Sequence, residues 1–157
     1  MPMGEIKTVS DLVHCCKDVP LYGELVTLVE LSKHHEVVWK GGAKFRYDIE
    51  CDEKKIEVKS CNVDNNWARR EWKKDNSFKS GFDKIYPDRF DYLVCVSFKD
   101  DFSDVKYYVF KSEEVRLFQK GKWHRFPEAY TLEVRNYSDD KRNKAIEDSK
   151  DAWKKIE

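Results

Sequence analysis

The stretch FRYDIECDEKKIEVKSC (residues 45–61) constrains this chain more than any other. Its second half, KKIEVKSC, alternates cleanly, with Ile56 and Val58 on one face and Glu57, Lys59 and Cys61 on the other. That is the period of a half-buried strand. AKFRYDIE (43–50) before it reads as a strand too. A hairpin of strands 45–51 and 54–60 turning at Asp52-Glu53 sets Cys51 against Lys54, Ile49 against Ile56 and Tyr47 against Val58. The same register opposes Asp48 to Glu57 and Arg46 to Lys59. Opposed Cβ atoms stand about 4.5–5.5 Å apart, and like charges so placed destabilise the pair. A bridging divalent cation removes that penalty, and Mg²⁺ favours one or two carboxylates completed by water and phosphate. Lys59 next to such a site is placed to hold or deprotonate a water, or to neutralise charge on a phosphoryl transition state. In a chain of which 38% is charged, the same spacing also arises by chance. A solvated sheet face with cross-strand ion pairs is the alternative reading.

The rest of the chain supplies the surroundings. TVSDLVHCCKD (8–18) has helical spacing, and Pro20 opens a stronger helix, LYGELVTLVELSKHH (21–35). At about 100° per residue, Leu21, Leu25, Leu28 and Ser32 share a stripe, Glu24 lies at its edge and Glu30 lies opposite. From that edge Glu24 can reach the carboxylate pair. EVVWK (36–40) is expected as a short strand and residues 64–76 as a helix, followed by a looser aromatic segment. FDYLVCVSF (90–98) is apolar on both faces, as a central strand must be. VKYYVF (105–110) and AYTLEV (129–134) are further strands, with a short helix over 112–121 between them and an amphipathic helix over 138–156 at the end. On that last helix Ile146, Ser149, Trp153 and Ile156 share one face. Helices alternating with strands predict an α/β (α+β) domain around a mixed sheet.

Composition excludes several classes. Lys+Arg and Asp+Glu both number 30, giving zero formal net charge, so polyanion binding would have to use a local patch. Aromatics at 14% argue against global disorder. No stretch approaches the roughly 18 apolar residues of a membrane span, and MPMGEIKTVSD does not read as a signal peptide. Five cysteines, two of them adjacent and none in a C-x-x-C pair, predict free thiols and a cytoplasmic setting. A Cys51/Cys61/histidine zinc site lacks ligand-like spacing, and the four histidines read as non-ligands. The absence of a P-loop or dinucleotide fingerprint predicts no nucleotide cofactor.

The succession of a Gly23-Glu24 helix, a short strand, Tyr47-Asp48-Ile49, Ile56-Glu57-Val58-Lys59 and a later apolar strand resembles the PD-(D/E)XK nuclease superfamily, which includes restriction endonucleases and Holliday junction resolvases. The resemblance covers about residues 20–98, with Tyr47 standing where the family name has Pro. It implies a restriction-endonuclease-like mixed central sheet flanked by helices. It also implies that Asp48 and Glu57 bind Mg²⁺ or Mn²⁺ together with the Val58 carbonyl, that Lys59 is catalytic, and that Glu24 matches the carboxylate often found on the first helix. The expected activity is metal-dependent endonucleolytic hydrolysis of DNA, carried out by a homodimer. The alternative is a non-catalytic nucleic-acid-binding module on the same fold. Residues 1–157 are expected as one nuclease-like domain, with a core at about 20–111 and a helix-strand-helix extension over 112–157.

Basic residues cluster after the motif strand, where Arg69, Arg70, Lys73, Lys74 and Lys79 form a candidate DNA-phosphate patch, and Lys44 adds a second cluster around Gly41-Gly42. A plain solvated helix face is the equal alternative. Trp67, Trp72, Phe78 and Phe82 are expected mainly in the core, with base contacts as the second reading.

Overall fold

The computed structural model describes residues 18–41, 46–64 and 80–157. The helices expected over 8–18 and 64–76, the basic residues Arg69, Arg70, Lys73, Lys74, Lys79 and Lys44, and the aromatics Trp67, Trp72 and Phe78 lie outside them.

Helix α1 (Val19–Ser32) is capped by Asp18, whose side chain accepts from the Leu21 N–H at 2.9 Å, and Pro20 sits in its first turn. Both features suit a helix N-terminus, where backbone donors lack intrahelical partners. The buried residues are Tyr22, Gly23, Leu25, Val26, Thr27 and Leu31. This corrects the expected stripe, for Leu21 and Leu28 are only partly buried and Ser32 is exposed. The helix is rotated because Gly23 faces strand β3 (Lys54–Asn62): a Cβ on Gly23 would lie 1.8 Å from Ser60 Oγ. Glycine alone permits so close an approach.

Strands β1 (Val37–Trp39), β2 (Ile49–Cys51), β3, β5 (Tyr92–Phe98) and β6 (Lys106–Lys111) form one mixed sheet in the order β1-β2-β3-β5-β6. β3 and β5 run parallel, and the other neighbours are antiparallel. β2 and β3 pair in the expected register, Ile49 with Ile56 and Cys51 with Lys54, but the Asp48 N–H bonds to the Ile56 carbonyl at 3.0 Å, one residue out of that register. β2 is nevertheless shorter than expected. Arg46, Tyr47 and Asp48 are bends rather than strand, so the expected pairings of Asp48 with Glu57, Tyr47 with Val58 and Arg46 with Lys59 are not part of the ladder.

The sheet has an apolar core on each face, as β5, buried on both sides, requires. Ile49, Cys51, Ile56, Val58, Val94 and Val96 pack with Tyr22, Val26 and Leu31 of α1. Cys61, Leu93, Cys95, Tyr108 and Phe110 pack on the other face against a second layer. That layer holds β4 (Ser80–Ile85), β7 (Gln119–Lys120) and β8 (Tyr130–Val134), an antiparallel sheet in the order β4-β8-β7.

Three expectations change here. The segment read as loosely structured contains β4, whose alternation is obscured by an irregularity between Phe82 and Ile85 and by Lys84 at φ 54°. Phe82 is in the core, as expected. The helix expected over 112–121 shrinks to α2 (Ser112–Val115) before the chain turns into β7. The helix expected over 138–156 ends as α3 (Asp140–Ser149), followed by a 3₁₀ turn over Trp153–Ile156. Ala145 and Ile146 pack in one core while Ile156 and Trp153 pack in the other, so the chain must break its helix to pass the β6 edge. Asp151 at φ 48° and the Tyr108–Lys150 bridge mark the crossing.

Candidate active site

The hairpin and α1 meet where β2 gives way to bends. Glu57 faces away from the Ile56/Val58 side of β3, and its side chain keeps 17% exposure. Asp48 lies beside it and turns one oxygen, Oδ2, onto the Val58 N–H at 2.7 Å. Glu24 comes down from α1 and hydrogen-bonds to Asp48, and the Trp39 side chain donates to Glu24 from β1. Lys59 Nζ stands 3.9 Å from Glu57 Oε1, near enough for attraction and too far for a strong hydrogen bond.

Three carboxyls and one ammonium therefore converge. Burial, with the charge of Asp48 next to it, pushes the Glu57 carboxyl from 4.5 to about 8, although Lys59 pulls it down. Burial and the same Asp48 charge raise Glu24 to about 7. Both shifts mark acidic groups crowded together without enough positive charge between them. A shared proton relieves that repulsion in the bare protein, and a hard divalent cation relieves it better, since oxygen donors are what Mg²⁺ and Mn²⁺ prefer. The chemistry of the donors suits such an ion, although the three carboxyls do not close to the 4.8 Å mutual spacing of a ready-made ligand set.

Asp48, Glu57, Lys59 and Glu24, singled out from the sequence, thus come together in space. Trp39 was not singled out, and a lone aromatic on a short strand carries no signal of its bond to a helix residue. A second set of donors, His35, Cys51 and Asp52, lies with its ligand atoms within 4.8 Å of one another. His35 Nδ1 is 2.7 Å from Asp52 Oδ2, which ties the end of α1 to the hairpin turn. The Cys51 thiol beneath it is raised to about 11 by burial. The conceivable Cys51/Cys61 zinc pair is corrected, because the two thiols belong to cores on opposite faces of the sheet. Cys51, Cys61 and Cys95 are all free and buried. Among the described residues no helix is long and apolar enough to cross a membrane.

This chain shares its fold with a solved endonuclease. The bacterial homing endonuclease I-Ssp6803I superposes on it with a TM-score of 0.56 at 13% identity, over 87% of this chain and 89% of that one. At so low an identity the likeness is one of fold. No family model and no curated protein matches the sequence. The mixed sheet with flanking helices expected from the sequence is the architecture observed.

Proposed function

We propose that this chain is a divalent-metal-dependent endonuclease of the PD-(D/E)XK type, hydrolysing DNA phosphodiester bonds. The observation carrying the reading is the cluster of Asp48, Glu57 and Glu24, two of whose carboxyls are held far above their ordinary range, with Lys59 alongside. The nuclease fold in which it sits supports the same conclusion.

Asp48 and Glu57, with Glu24 as support, hold Mg²⁺ or Mn²⁺, and the Val58 carbonyl is the further donor implied by the family resemblance. A cation there supplies Lewis acidity toward the phosphate and lowers the pKa of a bound water. The Val58 N–H fixes one Asp48 oxygen, leaving the other to face the cluster. Lys59 orients the attacking water and offsets the negative charge that grows on the phosphate oxygens. Trp39 holds the Glu24 carboxyl in place from β1. Residues 1–157 act as one nuclease-like unit, a reading supported by β8 of the C-terminal extension pairing with β4 of the core. Two copies cut the two strands of a duplex.

The test incubates plasmid, linear duplex and four-way-junction DNA with Mg²⁺ or Mn²⁺. Asp48→Ala, Glu57→Gln and Lys59→Met are each expected to lower the cleavage rate by about 10²–10³-fold or more. DNA binding without cutting under either metal would make the chain a non-catalytic module and overturn the enzymatic reading.

A further inference from the structure

A cleft of about 530 Å³ opens in the second layer, between the 3₁₀ turn at Pro87–Arg89 and the loop joining β7 to β8. Its cationic lining is Arg46, Arg89, Arg116, Lys120 and Arg125, against two acids, Asp88 and Glu128. In a chain of zero formal net charge this is a marked local excess. The acids are already engaged: Asp88 pairs with Arg116, and Glu128 with Lys120 at 3.0 Å. Arg46, Arg89 and Arg125 are exposed and have no carboxylate partner among the described residues. Arg89 lies flat over the Tyr86 ring, its centre 4.0 Å away, which orients the guanidinium while leaving its edge for a ligand. Phe126, Pro127 and Tyr130 supply a stiff apolar wall.

The position of Arg46 gives the cleft its direction. It lines this cavity and stands two residues before Asp48, so one wall of the cleft and Asp48 of the carboxylate cluster are borne by the same bend. An isolated small anion would need one or two of these cations. Cations spread over a bend, a 3₁₀ turn and a loop suit a ligand with regularly spaced negative groups.

We infer that this cleft binds the phosphodiester backbone of the duplex flanking the scissile bond, with Arg89 and Arg125 as its sequence-independent phosphate contacts. The inference rests on the DNA-hydrolysis reading and adds to it the path of the substrate over the second layer. It also gives residues 112–157 a role in substrate binding, through the β7–β8 loop.

The test measures binding of the wild-type chain to a fluorescent 30-base-pair duplex without divalent metal, over a range of KCl concentrations. It also measures single-turnover cleavage at saturating DNA with Mg²⁺. Arg89→Gln/Arg125→Gln is compared with Lys141→Gln/Lys154→Gln, which removes the same charge from exposed positions outside the cleft. Losing two phosphate contacts lowers the slope of log K against log salt by about 1.8. Affinity for the cleft variant falls about tenfold or more while its saturated cleavage rate stays within threefold of wild type. The control pair changes affinity less than twofold. Melting temperatures near wild type verify that both variants fold, and the single Arg125→Gln change, expected to lower the slope by about 0.9, repeats the test with less perturbation. Equal effects of the two pairs, or an unchanged slope in a chain that cuts DNA, overturn the cleft assignment and leave the nuclease reading intact. An acidic protein segment as the true occupant would give that same unchanged slope. A wild-type chain that neither binds nor cuts DNA overturns both.

Discussion

Glu57 and Glu24 carry a cost in the bare protein that has a definite pH signature. Their folded-state carboxyls titrate near 8 and 7, above the ordinary 4.5. Between pH 4.5 and 8 the folded chain therefore binds more protons at these sites than the unfolded chain, so stability falls as pH rises across that window. Water screens the half-exposed Glu24, so most of the fall comes from Glu57 and is expected at about 4 kcal/mol, or roughly 8–16 °C in melting temperature. Thermal melts at pH 5 and pH 8, with and without Mg²⁺, should show the loss at pH 8, its reversal by Mg²⁺ there and little Mg²⁺ effect at pH 5. Asp48→Asn removes the neighbouring charge while its amide oxygen still accepts from Val58, so it should flatten the pH profile and abolish the Mg²⁺ response. A melting temperature that does not respond to Mg²⁺ at pH 8 would show that the cluster is no metal site. At this scale much was legible. Asp48 and Glu57 followed from strand alternation, and Glu24 from its place at the edge of a helical stripe. The bonds from Val58 and Trp39 were not, since they depend on how the backbone bends at residues 46–48.

Among the elements, the junction of α1 with β3 decides whether the cluster forms. Gly23 seats the helix directly on Ser60, and the next residue is Glu24. Gly23→Ala places a methyl group where Ser60 Oγ now lies. It should cost about 1–3 kcal/mol by overpacking, and it should weaken metal binding as well by lifting Glu24 away. Calorimetric titration with Mn²⁺ alongside chemical denaturation checks both effects, and Ser60→Gly in the same chain should recover part of each. An unchanged Gly23→Ala protein would show that the helix is free to settle elsewhere. The hairpin register could be read because one face is buried, so a slip by one residue would expose Ile49, Ile56 and Val58. The buried stripe of α1 could not be read correctly, because the nearest contact is made by a residue without a side chain. The last helix misled for a related reason: Ile146 and Ile156 keep helical spacing yet serve opposite faces of the sheet.

For the molecule as a whole, the carboxylate cluster of the described residues has, on the proposed function, one strand to cut at a time. Two-strand cleavage by a homodimer then predicts two chains per duplex in sedimentation. Dilution should slow linearisation of a plasmid more than it slows nicking. Linearisation and nicking that slow in parallel, with one chain per duplex, would show that the monomer works alone. The five-stranded sheet was largely legible, since β3, β5 and β6 announce themselves by apolar alternation or continuous burial. The second sheet was not. Its first strand is irregular and its partner lies more than fifty residues further on, Ser80 pairing with Val134.

The parallel pairing of β3 with β5 also governs timing. The motif strand can join β2 across a tight turn as soon as both leave the ribosome, but its other neighbour, from Tyr92 onward, is not yet made. The β7–β8 loop that completes the basic cleft comes later still. A nascent or truncated chain ending before β5 therefore holds the acidic residues without the framework that aligns them, so the cluster can form only in the finished sheet.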